Sequence, residues 1–92
     1  MGAEKAAENA IQLVGSYADQ RDGLSEARAA LMRCLSHLRA ADAPSDLLLT
    51  IKREGLAALD PRSNRRKEAA EAVRVAVTEW KREVESADPA RP

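Results

Sequence analysis

Apolar residues recur at alternating three- and four-residue steps along the last third of the chain. These residues are Ala70, Val73, Val77, Trp80, Val84 and Ala87. Residues at such steps share one face of an α-helix, so the sequence predicts a helix from Asp60 to Ala87 with one apolar seam. At about 1.5 Å per residue this helix is about 42 Å long, whereas a compact chain of this size is about 30 Å across. We therefore expect it to extend beyond its own domain or to meet a partner.

The rest of the chain is poor in large apolar side chains. It has 92 residues with no Phe, one Trp and one Tyr. A chain of this length buries only about 60–65% of the surface that its unfolded form exposes. We expect one helical domain over residues 1–87, a disordered tail over 88–92, and a homodimer that supplements the core. The seam formed by Val73, Val77, Trp80 and Val84 is the expected core or dimer surface.

Three further helices are predicted from apolar periodicity and from turn residues. Their expected ranges are Ala3–Arg21, Glu26–Asp42 and Asp46–Glu54. Gly23, Pro44 and Gly55 are the expected stops, with one further turn over Leu56–Leu59 as an alternative after Gly55. Asp60-Pro61 is the expected start of the last helix, and the alternative is a later start capped by Ser63 or Asn64. The predicted fold class is all-α, a small four-helix bundle-like domain with a long C-terminal helix, in a dimer. Gly15, in a helix interior, predicts a tight helix crossing or a bend.

Charge and cysteine content exclude several function classes. Fifteen basic and fifteen acidic residues cancel, so no global field attracts nucleic acid or an anionic membrane. The single cysteine, Cys34, excludes an internal disulfide framework, and no apolar run is long enough to cross a membrane. The sequence also shows no signal-peptide pattern. We expect a cytoplasmic protein without membrane association.

A cluster of cations at the start of the last helix is the sharpest candidate site. This basic cluster comprises Arg62, Arg65, Arg66 and Lys67. It lies where the helix dipole favours anions, so one interpretation is a site for phosphate or for an acidic partner. The other is that Asp60, Glu68 and Glu71 neutralise a merely solvated face. Both interpretations stay open.

Two other features carry weaker hypotheses. Trp80 is either the main core anchor or a hot spot for a partner. Cys34 and His37, three residues apart on one helix, could begin a zinc site, but the chain has no other Cys or His to complete it. We therefore expect no metal, no cofactor and no enzymatic activity.

The function predicted from the sequence is a non-enzymatic protein–protein interaction module, a small regulator or adaptor of phage or accessory type. It would act through the last helix, with the basic cluster and Trp80 as partner-binding residues. The alternative is a DNA- or RNA-binding regulator that uses the Arg62–Lys67 cluster, although the Gly55–Asn64 connection is too long for a helix-turn-helix. Charge reversal at Arg65 and Arg66 is expected to weaken partner binding and leave the melting temperature nearly unchanged.

Overall fold

The computed structural model describes residues 2–86, which form four α-helices and no strand. Their bounds are α1 Ala3–Tyr17, α2 Leu24–Ala40, α3 Ser45–Ala58 and α4 Arg66–Ser86. The all-α, four-helix prediction is confirmed. The predicted helix end at Ala87 and the predicted tail at 88–92 lie outside the described residues.

The helices pack into a bundle around an aliphatic core. α1 and α3 each pack on α2 and α4 and also touch one another, whereas α2 and α4 make no contact over the described residues. The largest fully buried side chains are Val14, Leu31, Leu38, Ile51, Leu59, Val73 and Val77. α1 contributes three fully buried alanines, Ala6, Ala7 and Ala10. Their small side chains let the neighbouring helices approach α1 closely.

The last helix is shorter than predicted, because Asp60 forms a local turn. Its Oδ1 accepts the backbone N–H of Arg62 at 2.9 Å, and its carbonyl accepts the N–H of Ser63 at 3.1 Å. α4 begins only at Arg66 and has 21 residues, about 31 Å at about 1.5 Å per residue. The long axis of the molecule is 49 Å. The predicted length was wrong, so the argument from a helix too long for its own domain no longer applies.

Gly55 does not end α3 as predicted. It lies buried within the helix, which continues to Ala58. A Cβ at this position would be 2.7 Å from Leu31 Cδ2, so the glycine lets α2 pack directly on the α3 backbone. Of the two causes predicted for Gly15, the tight crossing is wrong, because no neighbour among residues 2–86 lies within 4 Å of a Cβ placed there, and the bend stays a prediction.

The connection between α1 and α2 also differs from the prediction. α1 ends at Tyr17 rather than Arg21, and α2 begins at Leu24. Gly23 takes the predicted left-handed conformation, with φ 75°. It lies directly before the first residue of α2, however, and does not end α1 as predicted. A side chain at Gly23 would also meet the Tyr17 ring, whose Cε1 lies 3.4 Å from the position of a Cβ. At its other end α2 stops at Ala40, two residues before the predicted end.

Candidate functional site

The apolar seam of α4 enters and then leaves the core of the single chain. Val73 and Val77 are fully buried. One turn later Trp80 is half-buried, and Val84 is 44% exposed. The middle of the predicted seam is therefore internal packing, and its C-terminal end is open surface.

Trp80 separates two grooves at this end of the bundle. The α1–α4 groove, about 590 Å³, is lined by Ala3 and Glu4 from α1 and by Trp80 and Val84 from α4. The α3–α4 groove, about 290 Å³, lies on the other side of the indole. Its apolar lining comes from the α3 residue Leu47 and from Ala76. A large apolar side chain thus stands between two depressions, each able to receive a side chain from outside.

Three carboxylates surround the α3–α4 groove, and we call them the acidic rim: Asp46, Glu79 and Glu83. All three residues are exposed. None forms an ion pair with another described residue, and no described cation lines this groove. Glu79 and Glu83 are one helical turn apart on α4, so their charges repel. The acidic rim is therefore unmatched negative charge beside an apolar surface.

The α1–α4 groove is also lined by Lys5 and Glu8, and Glu8 has an ion-pair partner. Lys81 Nζ donates to Glu8 Oε1 at 2.8 Å and joins α4 to α1. The hydrogen bond and charge of Lys81 lower the pKa of the Glu8 carboxyl, and the same bond raises the pKa of Lys81. The positive charge nearest to Trp80 in sequence is thus already engaged with α1.

Three cations of the basic cluster, at the opposite end of α4, face carboxylates of their own chain. The N···O distances are 3.6 Å for Arg62–Asp60, 3.4 Å for Arg65–Glu68 and 3.2 Å for Lys67–Asp19. The backbone N–H and the charge of Arg62 lower the pKa of Asp60. Glu71, expected to help neutralise the cluster, pairs with Arg74 instead.

Arg66 has a structural contact set that the sequence did not predict. Its Nε donates to the Ala58 carbonyl at 2.9 Å, and its Nη2 donates to the Tyr17 carbonyl at 2.7 Å. These carbonyls lie at the ends of α3 and α1, where helices leave acceptors without intrahelical donors. The half-buried Arg66 therefore joins three helices. Arg28 adds a further bond to the Leu59 carbonyl at 3.1 Å.

Cys34 and His37 line a third groove of about 290 Å³ between α1 and α2, together with Leu13 and Arg33. Cys34 is half-buried, which raises the pKa of its thiol, whereas His37 is exposed. Within residues 2–86, no three His, Cys, Asp or Glu side chains are grouped as metal ligands. The pair thus has no third ligand within that range.

Comparison of the chain with protein-family models, with curated proteins and with solved structures gave no match. Over the described residues, no helix is both long enough and apolar enough to cross a membrane.

Proposed function

We propose that this protein is a non-enzymatic protein–protein interaction module, a small regulator or adaptor, that binds its partner through the C-terminal half of α4. The observation that carries the proposal is the emergence of the α4 seam from the core at Trp80 and Val84, between two grooves. A half-buried tryptophan next to open grooves has the character of an interface hot spot, because it offers large apolar area at little cost in side-chain entropy.

The contribution proposed for the basic cluster is secondary. Arg62, Arg65 and Lys67 are exposed and can reach a partner's carboxylates, but each already faces a carboxylate of its own chain. Arg66 donates hydrogen bonds to the ends of two helices, so this residue is left out of the partner-binding set.

The same contacts make the DNA- or RNA-binding alternative the weaker one. Phosphates would have to compete with the internal carboxylate partners of three cations, and the acidic rim at the other end of α4 repels them. A mobility shift of mixed-sequence duplexes that weakens steeply with salt would support that alternative and count against protein binding through Trp80.

Site-specific photo-crosslinking in the source cell tests the proposal. A photo-reactive residue at position 84 is expected to capture a partner, and the same residue at Arg53, 65% exposed on α3, is the matched control. Adding Trp80→Ala should reduce capture from position 84, and circular dichroism checks that this variant, which also loses packing, keeps the helix content of the wild type. No product from position 84, or equal products from positions 84 and 53, would overturn the proposal.

The homodimer stays a prediction. In the crosslinking experiment it appears as a product of twice the 10.0 kDa mass of one chain. Mass spectrometry of the product distinguishes this dimer from a complex with a different protein.

A further inference from the structure

Resting on the proposed function, we infer that the partner of the Trp80 surface is a basic amphipathic segment. Its apolar side chain packs against Trp80 in one of the two grooves, and its Lys or Arg side chains meet the acidic rim. The inference names the chemistry of the occupant, which the proposed function leaves open.

The apolar surface open to a partner consists of Trp80, Ala76 and the 44% exposed Val84, because Leu47 is only 7% exposed. Leu47 and Ala76 line the α3–α4 groove, and Val84 lies in the α1–α4 groove. The indole of Trp80 borders both. An apolar side chain placed beside the indole removes apolar surface of both molecules from water, which is favourable. A purely polar basic segment would not gain this free energy of burying apolar surface.

The acidic rim supplies the negative charge that a partner would meet at this surface. Asp46, Glu79 and Glu83 have no ion-pair partner among the described residues, and Glu79 and Glu83 repel each other along α4. A cation brought between them relieves this repulsion and gains attraction to both. A Lys or Arg over the indole of Trp80 would add a cation–π contact. Charge complementarity therefore selects a basic partner.

The same charges disfavour the other occupants. In a twofold dimer whose symmetry axis passes through the α3–α4 groove, the acidic rim of one copy would face the acidic rim of the other. An acidic protein or a nucleic acid would meet the same repulsion. Among the candidate occupants, the basic amphipathic segment is the one that matches both the apolar surface beside Trp80 and the negative charge of the acidic rim.

The single tryptophan of the chain makes the test direct, because its fluorescence reports on the proposed surface alone. The probe is a synthetic helical peptide of Leu and Lys, about 14 residues or four turns long, and the matched probe carries Glu in place of Lys. We expect the Lys peptide to change the Trp80 emission saturably, with an affinity that falls as salt rises. We expect the Glu peptide to have no effect.

A pair of charge-matched variants locates the binding. The double variant Glu79→Gln with Glu83→Gln should lower the affinity for the Lys peptide about fivefold, because it removes two charges of the acidic rim. Asp22→Asn with Glu26→Gln removes the same charge at the far end of the bundle and should leave the affinity unchanged. These four side chains are exposed, so both variants should keep the helix content of the wild type, which circular dichroism checks.

Equal binding of the two peptides, or equal affinity of the two double variants, would overturn the inference. A partner crosslinked at position 84 that lacks a basic amphipathic segment would overturn it too, while the proposed function stands. Binding of the Lys peptide that responds to Glu79 and Glu83, without any crosslink in the cell, would support the inference and contradict the proposed function.

Discussion

At the scale of single residues, Arg66 shows why a charged cluster in a sequence is not one functional unit. The four cations lie within six positions, yet the structure uses them differently. Arg62 is 91% exposed, whereas Arg66 donates to the carbonyls that end α1 and α3. The sequence could not reveal this difference, because one of the two acceptors lies 49 residues away.

Replacing Arg66 should therefore destabilise the fold. Hydrogen bonds to a charged donor contribute about 1.5–3 kcal/mol each, less where water reaches them, so we expect Arg66→Met to lower the free energy of unfolding by about 1–3 kcal/mol. Urea unfolding measures this. Arg62→Met is the control and should stay within about 0.5 kcal/mol of the wild type. Equal effects of the two variants would show that the carbonyl contacts contribute nothing.

The expectation of an unchanged melting temperature after charge reversal at Arg65 and Arg66 must accordingly be revised. Glu at position 66 would place a carboxylate beside two carbonyl oxygens. A loss of binding in that variant would be confounded by a loss of stability. Reversal at Arg62 and Arg65 leaves the helix ends intact and is the proper test of the cluster.

Gly15 and Gly55 form a second matched pair. Both are helical, and alanine is favoured over glycine by about 1 kcal/mol in a helix interior. Gly15 has open space around it, so Gly15→Ala should stabilise the protein by about 0.5–1 kcal/mol. At Gly55 an added Cβ would meet Leu31, which is fully buried. Overpacking costs about 1–3 kcal/mol, so Gly55→Ala should be destabilising.

Chemical denaturation of both alanine variants measures the difference. The sign of the change is the informative result. A Gly55→Ala protein as stable as the Gly15→Ala protein would mean that Leu31 moves aside without loss of packing.

At the scale of elements, apolar periodicity predicted the number and the type of the helices correctly. The capping and turn residues predicted several helix ends at the wrong positions. Val73 and Val77 indicated α4 correctly because the core residues of a helix repeat along the chain. The helix start predicted at Asp60 was wrong, because an Asp side chain can accept a backbone N–H either at the start of a helix or in a turn. At Asp60 the bond from the Arg62 N–H closes a turn. The helix end predicted at Gly55 was wrong, because the glycine makes room for Leu31 of α2 and does not end α3.

The contact between α1 and α4 makes stability depend on pH. Lys81 lowers the pKa of Glu8 from its ordinary value of 4.5, so the folded state favours the carboxylate. This contribution is present above pH 4.5 and is lost as the pH falls through the lowered pKa. The pKa of Lys81 is raised from 10.5, so its contribution is lost as the pH rises through the raised value.

We expect Glu8→Gln to lower the melting temperature at pH 7, with a difference from the wild type that shrinks at pH 3. Glu26→Gln removes an exposed carboxylate that makes no ion pair with a described residue, and it is the control. Thermal melts at the two pH values provide the measurement. A difference that is constant with pH would show that the Glu8–Lys81 pair does not act through charge.

At the scale of the whole molecule, three cations of the basic cluster at one end of α4 have carboxylate partners, whereas the acidic rim at the other end has no ion-pair partner among the described residues. The sequence places candidate residues at both ends, because the basic cluster and Trp80 are visible in it. It does not show that Asp19 of a different helix faces Lys67, or that Asp46 of α3 joins Glu79 and Glu83 at one groove. Such groupings arise only when the helices are packed.

The solution mass tests what this arrangement implies for self-association. Val73 and Val77 are buried within one chain, so only Trp80 and Val84 of the predicted dimer seam offer surface to a second copy. A twofold contact whose axis passes through the α3–α4 groove opposes like carboxylates, whose repulsion salt screens over about 10 Å at 0.1 M. We therefore expect the dimer fraction, measured by light scattering, to rise with salt and to fall in Val84→Glu. Leu49→Glu, at a 60% exposed position, is the control. A dimer that is stable at low salt and indifferent to Val84→Glu would place the dimer surface elsewhere on the bundle.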